Sequence, residues 1–222
     1  MNRKHVLGAA TAALSFSLGC STFAASLTVT PAVLPNKGDV EPDQTLVMGS
    51  AGPEFSDVLV SVAGTNSWDL VSDTSNQVLL IDIAAGAGQP SGTPMVMTGI
   101  GWNVSLATVG GSWLSEARFY FDDAIAPDLS GLFLRPSSTN APGSASPSSG
   151  GVIDLSDNAI PDITLPNGIL RIELYESYDD VPDAIDANWT AGNLTIRAEV
   201  VPEPASLSLL ALGGLTALRR RR

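Results

Sequence analysis

The chain has 222 residues, with 23 acidic against 11 basic side chains and a formal net charge of −12. Two basic residues lie near the N-terminus and four at the C-terminus, which leaves Lys37, Arg118, Arg135, Arg171 and Arg197 against 22 acids between residues 25 and 200. That excess of negative charge excludes a nucleic-acid backbone or an anionic lipid surface as partner of the middle of the chain. The only histidine, His5, and the only cysteine, Cys20, both precede that middle. Disulfides, thiol catalysis, a Ser-His-Asp triad and ordinary zinc ligation are therefore excluded from it as well.

Residues 1–25 read as a secretory signal, with basic Arg3, Lys4 and His5, an apolar run over 6–18 and then small residues. Cleavage by signal peptidase after Ala24 fits the small side chains of Thr22 and Ala24, and cleavage after Ser26 is the alternative. Ser17-Leu18-Gly19-Cys20 is superficially like a lipobox, so lipidation at Cys20 stays open, although Ser17 stands where an apolar residue is usual.

From residue 27 to 200 the dominant period is two, the pattern of strands with one buried face. Ile100, Trp102, Val104 and Leu106 alternate with polar or small residues, as do Ala117, Phe119 and Phe121. Leu170, Ile172 and Leu174 form a third series, Leu194, Ile196, Ala198 and Val200 a fourth, and Val58, Val60 and Val62 a shorter one. The nearly continuous apolar run over 78–83 predicts a central strand. Further strands are expected at 27–33, 46–48, 68–72, 131–135 and 152–155, and no segment shows a sustained helical period. Short strands separated by Gly, Pro, Asn and Asp clusters predict an all-β fold over residues 26–199. The expected architecture is a single antiparallel two-sheet sandwich, jelly-roll-like. The uncharged segment 136–151, built from Pro, Ser, Thr, Asn, Ala, Gly and little else, reads as a mobile loop within that domain. Trp102, on the apolar face of its strand, is expected in the core.

The C-terminus reads Val201-Pro202-Glu203-Pro204, then a mostly apolar stretch over 205–218, then Arg219, Arg220, Arg221 and Arg222. Pro202 and Pro204 end the preceding strand. A helix over 205–218 would be about 20 Å long, short against a hydrocarbon core of about 30 Å. The terminal arginines would stay cytoplasmic and snorkel to the interface, partly relieving the mismatch. Residues 200–222 thus resemble the PEP-CTERM protein-sorting signal of exopolysaccharide-producing Gram-negative bacteria. The resemblance implies transient insertion in the membrane and cutting near Pro202-Glu203-Pro204 by an exosortase-type membrane protease. It implies a cell-surface or matrix destination with exopolysaccharide as a partner; retention of the tail as a permanent anchor is the alternative. Gly101-Trp102-Asn103-Val104 and the phrase from Trp189 to Ile196 are also similar to β-sandwich domains found ahead of such tails. The latter faintly resembles the closing strand of jelly-roll P-domains.

The densest acidic segment is 176–186, between two expected strands. Asp179, Asp180, Asp183 and Asp186 lie close enough in sequence to converge on Ca²⁺, which takes six to eight oxygen ligands; a solvated acidic loop is the alternative. Asp122, Asp123 and Asp128 form a second, weaker group. Trp113, Tyr120 and Tyr175, together with Trp68, are candidates to stack on sugar rings, Trp113 beside Gly110 and Gly111 being the one expected at the surface. No catalytic residue is assigned. A carboxylate-dependent glycoside hydrolase would have to draw on Glu173 and Glu199, which are read instead as members of cross-strand charge pairs with Arg171 and Arg197. A structural or exopolysaccharide-associated module is the expected role.

Overall fold

A computed structural model describes residues 38–201, apart from 43, 51, 53, 126 and 127. The signal segment with Cys20 and Ala24, the expected strand 27–33 and the tail from Pro202 to Arg222 lie outside the described residues. The strands are β1 (Gly38–Val40), β2 (Ser56–Ser61), β3 (Thr65–Ser67), β4 (Gln77–Asp82), β5 (Met95–Thr108), β6 (Ala117–Asp123), β7 (Leu132–Leu134), β8 (Ser144–Ala145), β9 (Ile153–Asp154), β10 (Ile163–Leu165), β11 (Ile169–Glu176) and β12 (Ala187–Val200). One short helix, α1 (Ile83–Gly86), follows β4 and is capped by Asp82, whose carboxylate accepts from Ala85 N at 2.8 Å.

The strands form two packed sheets. One has the order β1-β7-β6-β11-β4; the other has β10-β5-β12-β2, with β3 joined to β12 and with β8 and β9 joined to β5. β5 and β12, 14 residues each, form the longest ladder, in which Leu194 faces Trp102 and Ile196 faces Ile100. Their inward residues meet those of β6 and β11, and Trp189 lies in the resulting core with its ring 4.2 Å from Phe119. The alternation read from the sequence puts these residues inside, Trp102 among them.

Several expectations need correction. β4 is an edge strand, not a central one, since it pairs with β11 alone, and its outward-facing Val78 and Leu80 are 42% and 64% exposed. A continuous apolar run has no period from which to infer a covered face, and here only Leu79 and Ile81 pack on the core. Residues 68–72 form turns after β3, because their polar groups bond within the loop and to β11. β1 and β7 run parallel. β1 enters from a distant part of the chain with no hairpin to impose the antiparallel sense, and Arg135 N donates to Val40 O at its end. β10 was not foreseen, being only three residues long.

Segment 136–151 is laid along the edge of β5. β8 pairs with Leu106 and Ala107, Ser149 N donates to Trp102 O at 3.0 Å, and Val104 N donates to Pro147 O at 3.1 Å. With β10 and β9 paired farther along, β5 has little unpaired edge left for other chains.

The ladder also requires Gly192. Its φ is +102°, and a Cβ there would clash with Asn103 O, whereas at Gly88, φ +77°, nothing lies within 4 Å. Gly192→Ala and Gly88→Ala share the conformational penalty of about 1–2 kcal/mol, but only the first adds backbone strain in the ladder. Urea unfolding of the full chain will show Gly192→Ala destabilised by at least about 3 kcal/mol, and Gly88→Ala by less than about 2 kcal/mol.

Candidate functional site

One end of the sandwich collects the ends of β3, β11 and β12. Glu176 is the last residue of β11, Asp186 immediately precedes β12, and Asp69 lies two residues past β3. Three backbone hydrogen bonds knit the junction. Glu176 N donates to Asp69 O at 2.9 Å, Asp186 N to Ser67 O at 3.1 Å, and Ser177 N to Glu116 O at 2.9 Å. The 177–186 loop turns back at Pro182-Asp183, where Ala184 N donates to Val181 O, and is pinned by Asp183 N donating to Asp69 Oδ1 at 3.0 Å.

The β11 alternation carries Leu170, Ile172 and Leu174 into the core, and Glu176 follows them at the next position of the same face. It is fully buried, Asp186 is 1% exposed and Asp69 is 5% exposed. Asp179 is half-buried, while Asp180 and Asp183 are exposed. Hydroxyls of Ser67 and Ser112 stand beside Glu176 and Asp186 and favour their ionised forms. Ser67 Oγ already accepts from Trp189 Nε1 at 3.0 Å. Even so, no hydrogen bond of good geometry reaches either oxygen of Glu176, or Oδ2 of Asp186, Oδ2 of Asp69 or Oδ1 of Asp179.

Burial, followed by the negative charges of Asp186 and Glu116, pushes the Glu176 carboxyl up to about 9. Burial also raises Asp186, with Asp179 and Asp180 adding to the effect, and raises Asp179, with Asp69, Asp183 and Asp180 adding. The four described arginines are committed elsewhere. Arg197 forks onto Asp57 at 2.8 and 2.9 Å, Arg135 pairs with Glu41 at 2.7 Å, Arg171 pairs with Glu173 at 2.8 Å, and Arg118 bonds Ser115 O and acts on Tyr175. Among the described residues, no three His, Cys, Asp or Glu side chains already stand in ligating geometry.

Of the four aspartates expected to converge, the structure brings Asp186 and Asp179 to this junction and leaves Asp180 and Asp183 largely in solvent. Asp69 and Glu176 were missed as site residues. Glu176 was detectable, since it continues the inward parity of Leu170, Ile172 and Leu174. Asp122 is occupied internally, accepting from Tyr120 OH at 2.7 Å and from Asp128 N at 3.0 Å.

Trp113 is 43% exposed, as expected. Tyr120 and Tyr175 are not available for stacking on a ligand: both are buried, packed against Phe133 at ring distances of 4.7 and 6.0 Å. Their strand positions do turn them outward, but Phe133, beside Tyr120 on the same face of the neighbouring strand, packs against both rings. Tyr178, overlooked in the sequence, is 62% exposed in the 177–186 loop. Glu173 is not on a solvated face. It is fully buried, accepting from Ser72 N at 2.5 Å and Asn76 Nδ2 at 3.0 Å, so it anchors the 69–76 loop. Arg197 does pair across strands, but with Asp57 of β2.

Residues 200–222 match the family model of the PEP-CTERM protein-sorting motif. No curated protein matches the chain. Among the described residues no helix is long and apolar enough to cross a membrane, and segment 205–218 lies outside them.

Without divalent cations, Glu176 binds its proton more tightly when folded than when unfolded, where its ordinary value of 4.5 applies. Its contribution is therefore present below about pH 4.5 and is lost as pH rises toward 9. In EDTA, unfolding free energy of the full chain will fall by about 2–3 kcal/mol between pH 5 and 7, and Glu176→Gln will flatten that slope.

Proposed function

We propose that this protein, which carries a PEP-CTERM sorting motif at residues 200–222, is a non-catalytic, exopolysaccharide-associated module of the cell surface or extracellular matrix. The motif supports export and processing by an exosortase, a membrane protease, with sorting to the cell surface. In this reading signal peptidase removes the N-terminal segment at Ala24, the segment 205–218 holds the chain transiently in the membrane, and cutting near Pro202-Glu203-Pro204 releases the domain. Arg219 to Arg222 serve as the cytoplasmic stop.

The observation that carries the carbohydrate association is the pair of exposed rings at the acidic end, Trp113 and Tyr178. They project from the two loops that meet where Ser177 N donates to Glu116 O. Indole and phenol faces stack on pyranose rings, and the adjoining aspartates offer acceptors to hydroxyls. The strand order supports a jelly-roll winding. With β2, β4, β5, β6, β7, β10, β11 and β12 counted one to eight, the sheets run 1-8-3-6 and 2-7-4-5, and the loops that join the two sheets gather at the sandwich ends. The burial of Glu173 in hydrogen bonds to the 69–76 loop argues against the carboxylate-dependent hydrolase.

Intact-mass analysis of protein from the producing cell will show the chain without residues 1–24 and without Arg219 to Arg222. Deletion of the exosortase will restore the C-terminal mass, and retention of Arg222 in the wild-type cell contradicts the processing. Binding of the mature protein to the cell's own exopolysaccharide will weaken at least about tenfold in Trp113→Ala with Tyr178→Ala. Unchanged binding contradicts the assignment of these rings.

A further inference from the structure

We propose that the junction of β3, β11 and β12 is a binding site for one divalent cation of the calcium class, held by Glu176 and Asp186 from inside the sandwich and by Asp69 and Asp179 from its loops. The acidity of the segment alone does not assign the ion. Glu176, fully buried on the core face of a strand, presents two oxygens that no donor reaches at good geometry, and Asp186 and Asp69, both more than nine-tenths buried, each present another. Asp179 adds a fifth such oxygen. Burying an ionised carboxylate without a partner costs several kcal/mol, and one strand position carries that cost beside three further acids.

Two routes relieve it. Among the described residues no basic side chain supplies the counter-charge, because all four described arginines are engaged elsewhere, and the charges acting most strongly on Glu176, Asp179 and Asp186 are acidic. Protonation would neutralise Glu176 but would leave Oδ2 of Asp186, Oδ2 of Asp69 and Oδ1 of Asp179 without a well-placed donor. A dication answers all four together. Calcium fits this donor set better than magnesium, since it accepts six to eight oxygens in adaptable geometry, whereas magnesium demands a near-ideal octahedron and keeps its waters. The carboxylates are not yet in ligating positions, so the ion draws them inward by rotation of side chains on the 69–76 and 177–186 loops. The hydroxyls of Ser67 and Ser112 steady the innermost pair.

The assignment stands without the carbohydrate reading, and its test contains no glycan. The full chain, purified in mild detergent and stripped with EDTA, is titrated with CaCl₂ by calorimetry and melted in EDTA, in CaCl₂ and in NaCl of matched ionic strength. Expected are one saturable site per chain and a melting temperature about 5–10 °C higher at a hundredfold excess over Kd, with no such rise in NaCl. Glu176→Gln and Asp186→Asn will each lose at least about tenfold in affinity. Terbium luminescence on the wild type, sensitised by Trp189 next to Ser67, gives a reading independent of variant folding, and Ca²⁺ will quench it by displacement. The absence of saturable binding, equal melting in CaCl₂ and NaCl, a larger rise in Mg²⁺ than in Ca²⁺, undiminished affinity in Glu176→Gln, or terbium emission indifferent to Ca²⁺ would each overturn the assignment.

Discussion

The alternation of β11, locked on both sides, is the constraint from which the acidic end of this protein follows. β11 is hydrogen-bonded to β4 along one edge and to β6 along the other, with Ile172 facing Leu79 and Phe121, and Leu174 facing Gln77 and Phe119. A one-residue slip would turn Leu170, Ile172 and Leu174 out of the core together, so the register is held by the whole buried face. Glu176 inherits that face and cannot leave it without breaking the pairing. The same parity sends Arg171, Glu173 and Tyr175 outward, where the 69–76 loop covers Glu173 and Phe133 packs on Tyr175.

The two outcomes on one strand illustrate how burial sorts identical chemistry. Glu173 accepts two hydrogen bonds on Oε1 and pairs with Arg171 through Oε2, and so holds a loop in place. Glu176, three residues on, meets one hydroxyl, that of Ser67, at poor geometry and acids of like charge around it. A carboxylate of the first kind is a structural tie; one of the second kind raises folding free energy unless something neutralises it. The ladder of β5 with β12 and the aromatic contact of Trp189 with Phe119 supply the packing that tolerates this cost, in a domain with no disulfide to help.

Much of the sheet was legible in the sequence where the period was strict. Ile100 to Leu106, Ala117 to Phe121, Leu170 to Leu174 and Leu194 to Ala198 each point inward as their alternation requires. The run over 78–83 forms an edge strand rather than a central one, because an unbroken apolar stretch carries no face information, and its exposed Leu80 lies on the uncovered face of the sheet. Segment 136–151 lacks large apolar side chains, yet its backbone pairs with β5; backbone pairing of that kind leaves almost no trace in composition. The site was half legible. Asp186 and Asp179 could be named from their density, and Glu176 from its parity, but the burial of Asp69 depends on a contact with Asp183 more than 100 residues away. Tyr120 and Tyr175 failed as surface candidates because Phe133, on the neighbouring strand β7, packs against both rings, a contact that the alternation of β6 or of β11 taken alone does not reveal.

Carboxyl footprinting of the native full chain, with a carbodiimide and a small amine read out by peptide mass spectrometry, reports the accessibility of each acid separately and so probes the buried face of β11 itself. Asp180 and Asp183 will be modified rapidly, and Glu173, Glu176 and Asp186 will be protected until the protein is unfolded. Modification of Glu176 at the rate of Asp180 in the native state would contradict the inward parity of β11, and with it the buried carboxylate junction.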